Sequence, residues 1–223
     1  MTGPAPRVAL IHATPLAMAP ITEAFDAMWP EAVTTNLLDD SLSSDLKAAG
    51  ALDGRMMDRF EILGRYVADN RSDAILFTCS AFGTAIEAVQ GTFAPMPVLK
   101  PNEAMFREAL AHGRKVGMVA TFAPSIPSME KEFTELADAT GNDVMPLKSV
   151  CADGAMEALA GGDGAKHDNL IAEAAKTLTD CDVILLAQFS MARAQSAVAA
   201  VVGGVPVLTS PASAVRHLKA ALT

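Results

Sequence analysis

Short apolar runs, polar corners and amphipathic stretches alternate along this chain. Residues 8–11 form a compact apolar run closed by His12, Ala13, Thr14 and Pro15, which reads as a first strand. A helix near Pro20 carries Ile21, Phe25 and Met28 on one face. Val33–Leu38 is a weaker second strand ending in Asp39-Asp40-Ser41. Met56, Phe60, Leu63 and Val67 recur at helical spacing and predict a long helix over 52–69. Ala74–Phe77 reads as a buried parallel strand. Beyond Thr78-Cys79-Ser80 the period changes, and Phe82, Ala85, Ile86 and Val89 share a helical face. Residues 96–99 make a fourth strand, and Phe106 with Leu110 mark the next helix.

The pattern then restarts. Residues 115–119 are a strand, Met129, Phe133 and Leu136 a helix face, 144–147 a strand ending near Cys151, and Leu170, Ala174 and Leu178 a helix. Residues 182–187 form a strand stopped by Gln188-Phe189-Ser190, followed by a last strand at 205–208 and a helix over 211–222. Laying the chain on itself supports a duplication. Arg7-Val8 through Phe25 falls on Lys115-Val116 through Phe133 at a shift of 108. Asp73-Ala-Ile-Leu falls on Asp182-Val-Ile-Leu, and Pro97-Val-Leu on Pro206-Val-Leu, at a shift of 109. Buried strands resemble one another, so each match is weak, but agreement on one offset is not.

The expected fold is therefore α/β: two pseudo-symmetric, open parallel-sheet (flavodoxin-like) halves with helices on both faces and an active-site cleft between them. The N-terminal half is expected over 1–100 plus 211–223 and the C-terminal half over 101–210. Under the duplication Cys79 superposes on Gln188. Cys79 stands where a strand's C-terminal end becomes a helix N-terminus, the edge at which open α/β sheets bind ligands. Helix N–H groups and the helix dipole there favour anions, so the thiol is expected to gain thiolate character. A buried, inert cysteine is the competing reading.

Composition narrows the classes. The 223 residues are 51% hydrophobic and 5% aromatic, so the core is mainly aliphatic. A net charge of −9 without a basic run argues against nucleic acid. Three cysteines at unrelated spacings suit a reducing compartment. Residues 1–7 lack a signal-peptide pattern and no apolar run is long enough to span a bilayer, so a soluble cytoplasmic protein is expected. No phosphate loop, dinucleotide fingerprint or His/Cys metal cluster stands in the sequence, so no cofactor or metal is expected.

The doubled architecture, the corner Thr78-Cys79-Ser80-Ala81-Phe82-Gly83, the strand end Ala187-Gln188-Phe189-Ser190 and the closing segment 206–210 resemble the aspartate/glutamate racemase superfamily. That group includes amino-acid and hydantoin racemases, maleate isomerases and arylmalonate decarboxylases. The resemblance implies cofactor-independent chemistry beside the carboxylate of a small acid or amino acid, often in a homodimer. In the racemases one cysteine from each half flanks the α-carbon. Cys79 matches the first, but the second position is Gln188, which cannot act as acid or base. The chemistry left open is a racemase-type isomerase with Cys79 as acid/base or nucleophile, a single-cysteine decarboxylase or lyase, or a small-acid binding protein that has lost one thiol.

The resemblance also implies that Thr14, Pro15, Thr121 and Ser125 hold substrate carboxylates, with the Ser80 and Ala81 amides and Ser190 as further donors. Ser125 and Ser190 serve equally well as helix caps. His12 occupies a place where glutamate racemases have an Asp supporting the cysteine; tuning Cys79 and a purely structural role are both open. Cys151, read on the matching loop of the second half, is the one thiol available to replace the missing partner. Cys181 is read as structural, and Asp39, Asp40, Lys100 and Arg193 as solvated.

Overall fold

The computed structural model describes residues 5–223; the first four residues of the Pro-rich start lie outside the described residues. The chain divides into two compact units, Met1–Pro101 with Ala214–Thr223, and Asn102–Ser213.

In the first unit β1 (Arg7–His12), β2 (Val33–Leu38), β3 (Ala74–Phe77) and β4 (Val98–Leu99) form an all-parallel sheet in the order β2-β1-β3-β4. Between them run α1 (Met18–Met28), α2 (Leu42–Ala49), α3 (Gly54–Asp69) and α4 (Gly83–Phe93). Ala9, Ile11, Ile75 and Phe77 lie on one sheet face and pack with Met56, Phe60 and Val67 of α3 and Ala85, Ile86 and Val89 of α4. Gly64 lets α3 and α4 approach, since a Cβ there would stand 2.8 Å from Val89.

The second unit repeats the plan. After α5 (Glu103–Leu110) come β5 (Val116–Ala120), α6 (Ile126–Thr140), β6 (Lys148–Cys151), α7 (Ala155–Ala160), α8 (Gly164–Ala175), β7 (Val183–Leu186), α9 (Gln195–Ala199) and β8 (Val207–Thr209); α10 (Ser210–Leu222) begins in this unit, and its residues from Ala214 on belong to the first. The strands are parallel in the order β6-β5-β7-β8. Residues of α5 and α6 cluster with Met118, Val183 and Leu185, and residues of α7, α8 and α9 with Val119, Ile184 and Leu186, so both sheet faces are covered. A parallel sheet buried on both sides explains why these strands read as continuous apolar runs.

The internal offset survives in detail. A 3-10 helical turn follows β1 at Pro15–Ala17 and follows β5 at Ala123–Ser125, again 108 residues apart. Asp73 accepts the Arg7 N–H at 2.7 Å, and Asp182 accepts the Arg114 and Lys115 N–H groups at 2.9 Å each. Each carboxylate closes the entrance of a central strand. Asp182→Ala is expected to cost about 1–2 kcal/mol in urea unfolding, and Asp73→Ala less, because Asp182 satisfies two exposed backbone donors and Asp73 one.

Two expectations need correction. The strand expected at 144–147 is β6, four residues later, because Pro146 has no N–H to give a ladder and pairing with β5 begins at Lys148. Cys151 is therefore the last residue of a strand, paired with Ala120, and not part of a loop. The helices α2, of eight residues, and α7, of six, are absent from the sequence reading because each is shorter than the window over which a helical period shows.

Candidate active site

In the first unit β1 and β3 end side by side, with Ile11 paired to Phe77. The backbone stays extended through Cys79 (φ −124°, ψ 121°) and then closes into a 3-10 turn, Ser80–Phe82, ahead of α4. Burial pushes the Cys79 thiol's pKa above its ordinary value, and the neighbouring Ala81 N–H, which makes no cap hydrogen bond to the side chain, offsets this only in part. The cause lies beneath the sulfur. Ile11, Ala13, Leu42, Phe60, Phe77 and Phe82 line a cavity of only about 10 Å³ with His12 and Cys79. The Phe60 ring lies 5.4 Å from Phe77 and 4.9 Å from Phe82, centroid to centroid. The expected thiolate character is thus reversed: burial outweighs the pull of the Ala81 N–H.

His12, fully buried, uses both ring nitrogens. Nε2 stands 2.8 Å from Asn36 Oδ1, an acceptor, so it carries the proton; Nδ1 then accepts from the Thr78 hydroxyl at 2.9 Å. This chain, Asn36–His12–Thr78, ties β2, β1 and the residue before Cys79 together. Burial lowers the His12 pKa, partly offset by the Asn36 bond. Below the ordinary imidazole value of 6.5 the unfolded chain therefore binds a proton that the folded chain does not. Stability is present above that pH and is lost as pH falls toward the folded value. Urea midpoints are expected to drop between pH 7.5 and 5.5, and to drop less in His12→Gln; equal slopes would remove His12 as the cause.

The second unit brings together Thr121, Ser125 and Gln188. Gln188 is extended (φ −109°, ψ 147°) and opens the 3-10 turn Phe189–Ala194, as Cys79 opens its own turn. Its Oε1 accepts the Thr121 N–H at 3.0 Å and the Thr121 hydroxyl at 3.5 Å, while Nε2 donates to Ser125 Oγ at 3.4 Å. The Ser125 hydroxyl donates to the Phe122 carbonyl at 2.7 Å, and Ser125 makes no side-chain cap for α6. Ser190 lies inside the turn that Gln188 opens, so it does not cap it.

Cys151, at the end of β6, has its sulfur against the Ala123 N–H and the Asp153 carboxylate; burial first, then Asp153, push its pKa up. Cys181 is buried, and a Cβ on Gly117 would stand 3.0 Å from its sulfur, so it packs the start of β7. In the first unit Thr14 caps the turn at Pro15, accepting the Leu16 N–H at 3.4 Å. Asp39 is not simply solvated: Arg59 grips it, with Nε at 2.6 Å. Lys100 pairs with Glu87 and Arg193 with Asp168, both at 2.9 Å. Asn36 and Phe60 had not been singled out as site residues. Asn36 is the third of three successive polar residues of β2, Thr34-Thr35-Asn36, so nothing local marks it. Among the described residues no group of three His, Cys, Asp or Glu is placed to hold a metal ion, and no helix is long and apolar enough to cross a membrane.

A family model described as Asp/Glu/Hydantoin racemase matches residues 13–218. No curated protein matches the sequence. Solved structures do. A glutamate racemase isoform from Bacillus anthracis aligns over 99% of this chain and 82% of its own, with a TM-score of 0.71 at 13% identity. The aspartate racemase of Picrophilus torridus aligns over 96% and 94%, with a TM-score of 0.69 at 14% identity. An allantoin racemase from Pseudomonas fluorescens aligns over 96% and 89%, with a TM-score of 0.64 at 18% identity.

Proposed function

This chain belongs to the Asp/Glu/hydantoin racemase family, and from that premise we propose that it is a racemase/isomerase-type enzyme moving a proton at the carbon beside a carboxylate, with Cys79 as the acid/base. The observation that carries this reading is the placement of Cys79 just past the C-terminal end of β3, where the chain turns through Ser80–Phe82 into α4. As thiolate, Cys79 takes the α-proton and leaves the electron pair delocalised into the carboxylate as an enediolate; return of the proton from the Cys79 thiol gives exchange with retention, and protonation of the opposite face by solvent gives inversion. Because burial holds the sulfur protonated, exchange is expected to quicken as pH rises toward its raised pKa.

A second reading is favoured by Gln188, which has no proton to exchange near neutral pH. A decarboxylase or lyase needs a proton donor on one face only. Loss of CO2 leaves the bonding pair on the α-carbon, the Cys79 thiol delivers its proton there, and solvent reprotonates the thiolate.

The named relatives act on glutamate, aspartate and allantoin, so these are the first compounds to try. Each enantiomer is incubated with the enzyme in D2O and followed by proton NMR and chiral chromatography. Loss of the α-proton signal with growth of the opposite enantiomer supports the isomerase. CO2 release from substituted malonates, with deuterium in one enantiomer, supports the second reading. Binding with neither exchange nor turnover would overturn both.

A further inference from the structure

We propose that Gln188 is a substrate-binding residue whose side-chain amide donates a hydrogen bond to a carboxylate oxygen of a small acid; this rests on the reading above. The orientation of the amide is settled by its partners. A backbone N–H can only donate, so the atom facing the Thr121 N–H at 3.0 Å is Oε1. Nε2 is thereby turned toward Ser125. Ser125 spends its own hydroxyl proton on the Phe122 carbonyl, so its lone pairs face Gln188 and receive one of the two amide hydrogens, at a long 3.4 Å.

The consequence is a redistribution of donors. The Thr121 N–H and hydroxyl both point at Gln188 Oε1, and the Ser125 hydroxyl points at Phe122. The hydroxyls expected to hold a carboxylate are thus occupied, and the second hydrogen on Gln188 Nε2 is the donor that these three side chains leave over. It lies at the carboxyl end of β7, on a half-buried side chain, at the edge where parallel sheets bind ligands. Asp153 follows β6, and strand order places β6 on the far side of β5 from β7. An approaching anion meets a neutral donor there. Such a residue contributes binding at any pH, in contrast to a thiol.

Gln188→Glu separates this role from a purely structural one. The glutamate keeps an acceptor for the Thr121 N–H but loses both amide hydrogens and adds a negative charge. In 15N-labelled protein the Gln188 NH2 resonance pair is assigned by its absence in Gln188→Met. It is expected to shift saturably on titration with succinate, L-aspartate or L-glutamate. Gln188→Glu is expected to weaken that binding about 10- to 100-fold, with the Thr121 amide resonance still in its hydrogen-bonded position. The proposal is overturned if none of the three acids moves the NH2 pair, or if Gln188→Glu binds as the wild type does. Exchange of the α-proton without movement of the NH2 pair would sink this inference alone. A shifted pair without exchange or turnover would sink the functional reading and leave Gln188 as a carboxylate-binding residue.

Discussion

Cys79→Ala is expected to lower the rate of α-proton exchange by about 10³-fold, the typical contribution of one positioned acid/base group. Alanine removes the proton carrier but leaves the surrounding fold, because Cys79 is only half-buried and its backbone is ordinary extended chain. Cys79→Ser is the sharper version. It keeps a small polar side chain of similar size, yet serine cannot ionise in the range a thiol does, so exchange is expected to fall nearly as far. Thermal midpoints close to wild type show that the loss is chemical. Exchange that persists in both variants would remove Cys79 from the chemistry and point to Cys151, whose protonated thiol sits at the carboxyl end of the other sheet, beside Asp153. Cys151→Ser tests that directly.

The strands that position these residues were legible because a parallel strand buried on both faces must be apolar throughout. Ala74–Phe77 and Val183–Leu186 have no exposed position, and the run itself marks their length. The duplication was legible because the same strand-turn-helix unit was written twice, down to the 3-10 turns at Pro15–Ala17 and Ala123–Ser125. What escaped depended on contacts that no local pattern encodes. The Asn36–His12–Thr78 chain needs the register that sets Leu10 against Asn36 and Ile11 against Phe77. Phe60, which lines the same small cavity as Cys79, comes from α3, a separate stretch of the chain. The corner suggested a thiolate because its local elements favour one; the tertiary neighbours reverse the sign.

Phe60→Ala tests that reversal and is expected to have the largest effect on stability in the first unit, about 3–5 kcal/mol in chemical denaturation. Phe60 is 2% exposed, stacks on Phe77 and meets Phe82 at a tilt, so its loss removes two ring contacts as well as buried area. The consequence for the sulfur follows from the same geometry. Phe60 forms part of the wall of a cavity with room for about one water molecule. Without the ring that space grows, water reaches the sulfur, and the cost of charging it falls while the Ala81 N–H still favours the thiolate. The pH midpoint of Cys79 alkylation by iodoacetamide, read by mass spectrometry of the Cys79 peptide, should therefore move down. Phe60→Leu, which keeps more of the packing, should move it less and survive if the alanine variant does not fold. If the leucine variant is folded and its midpoint matches wild type, the Phe60 ring does not govern the thiol, and the raised pKa comes from the remaining walls, Ile11, Leu42, Phe77 and Phe82. A downward shift would mean that the ring cluster keeps Cys79 a proton donor at neutral pH, and that this one aromatic side chain sets the balance between donating and abstracting a proton.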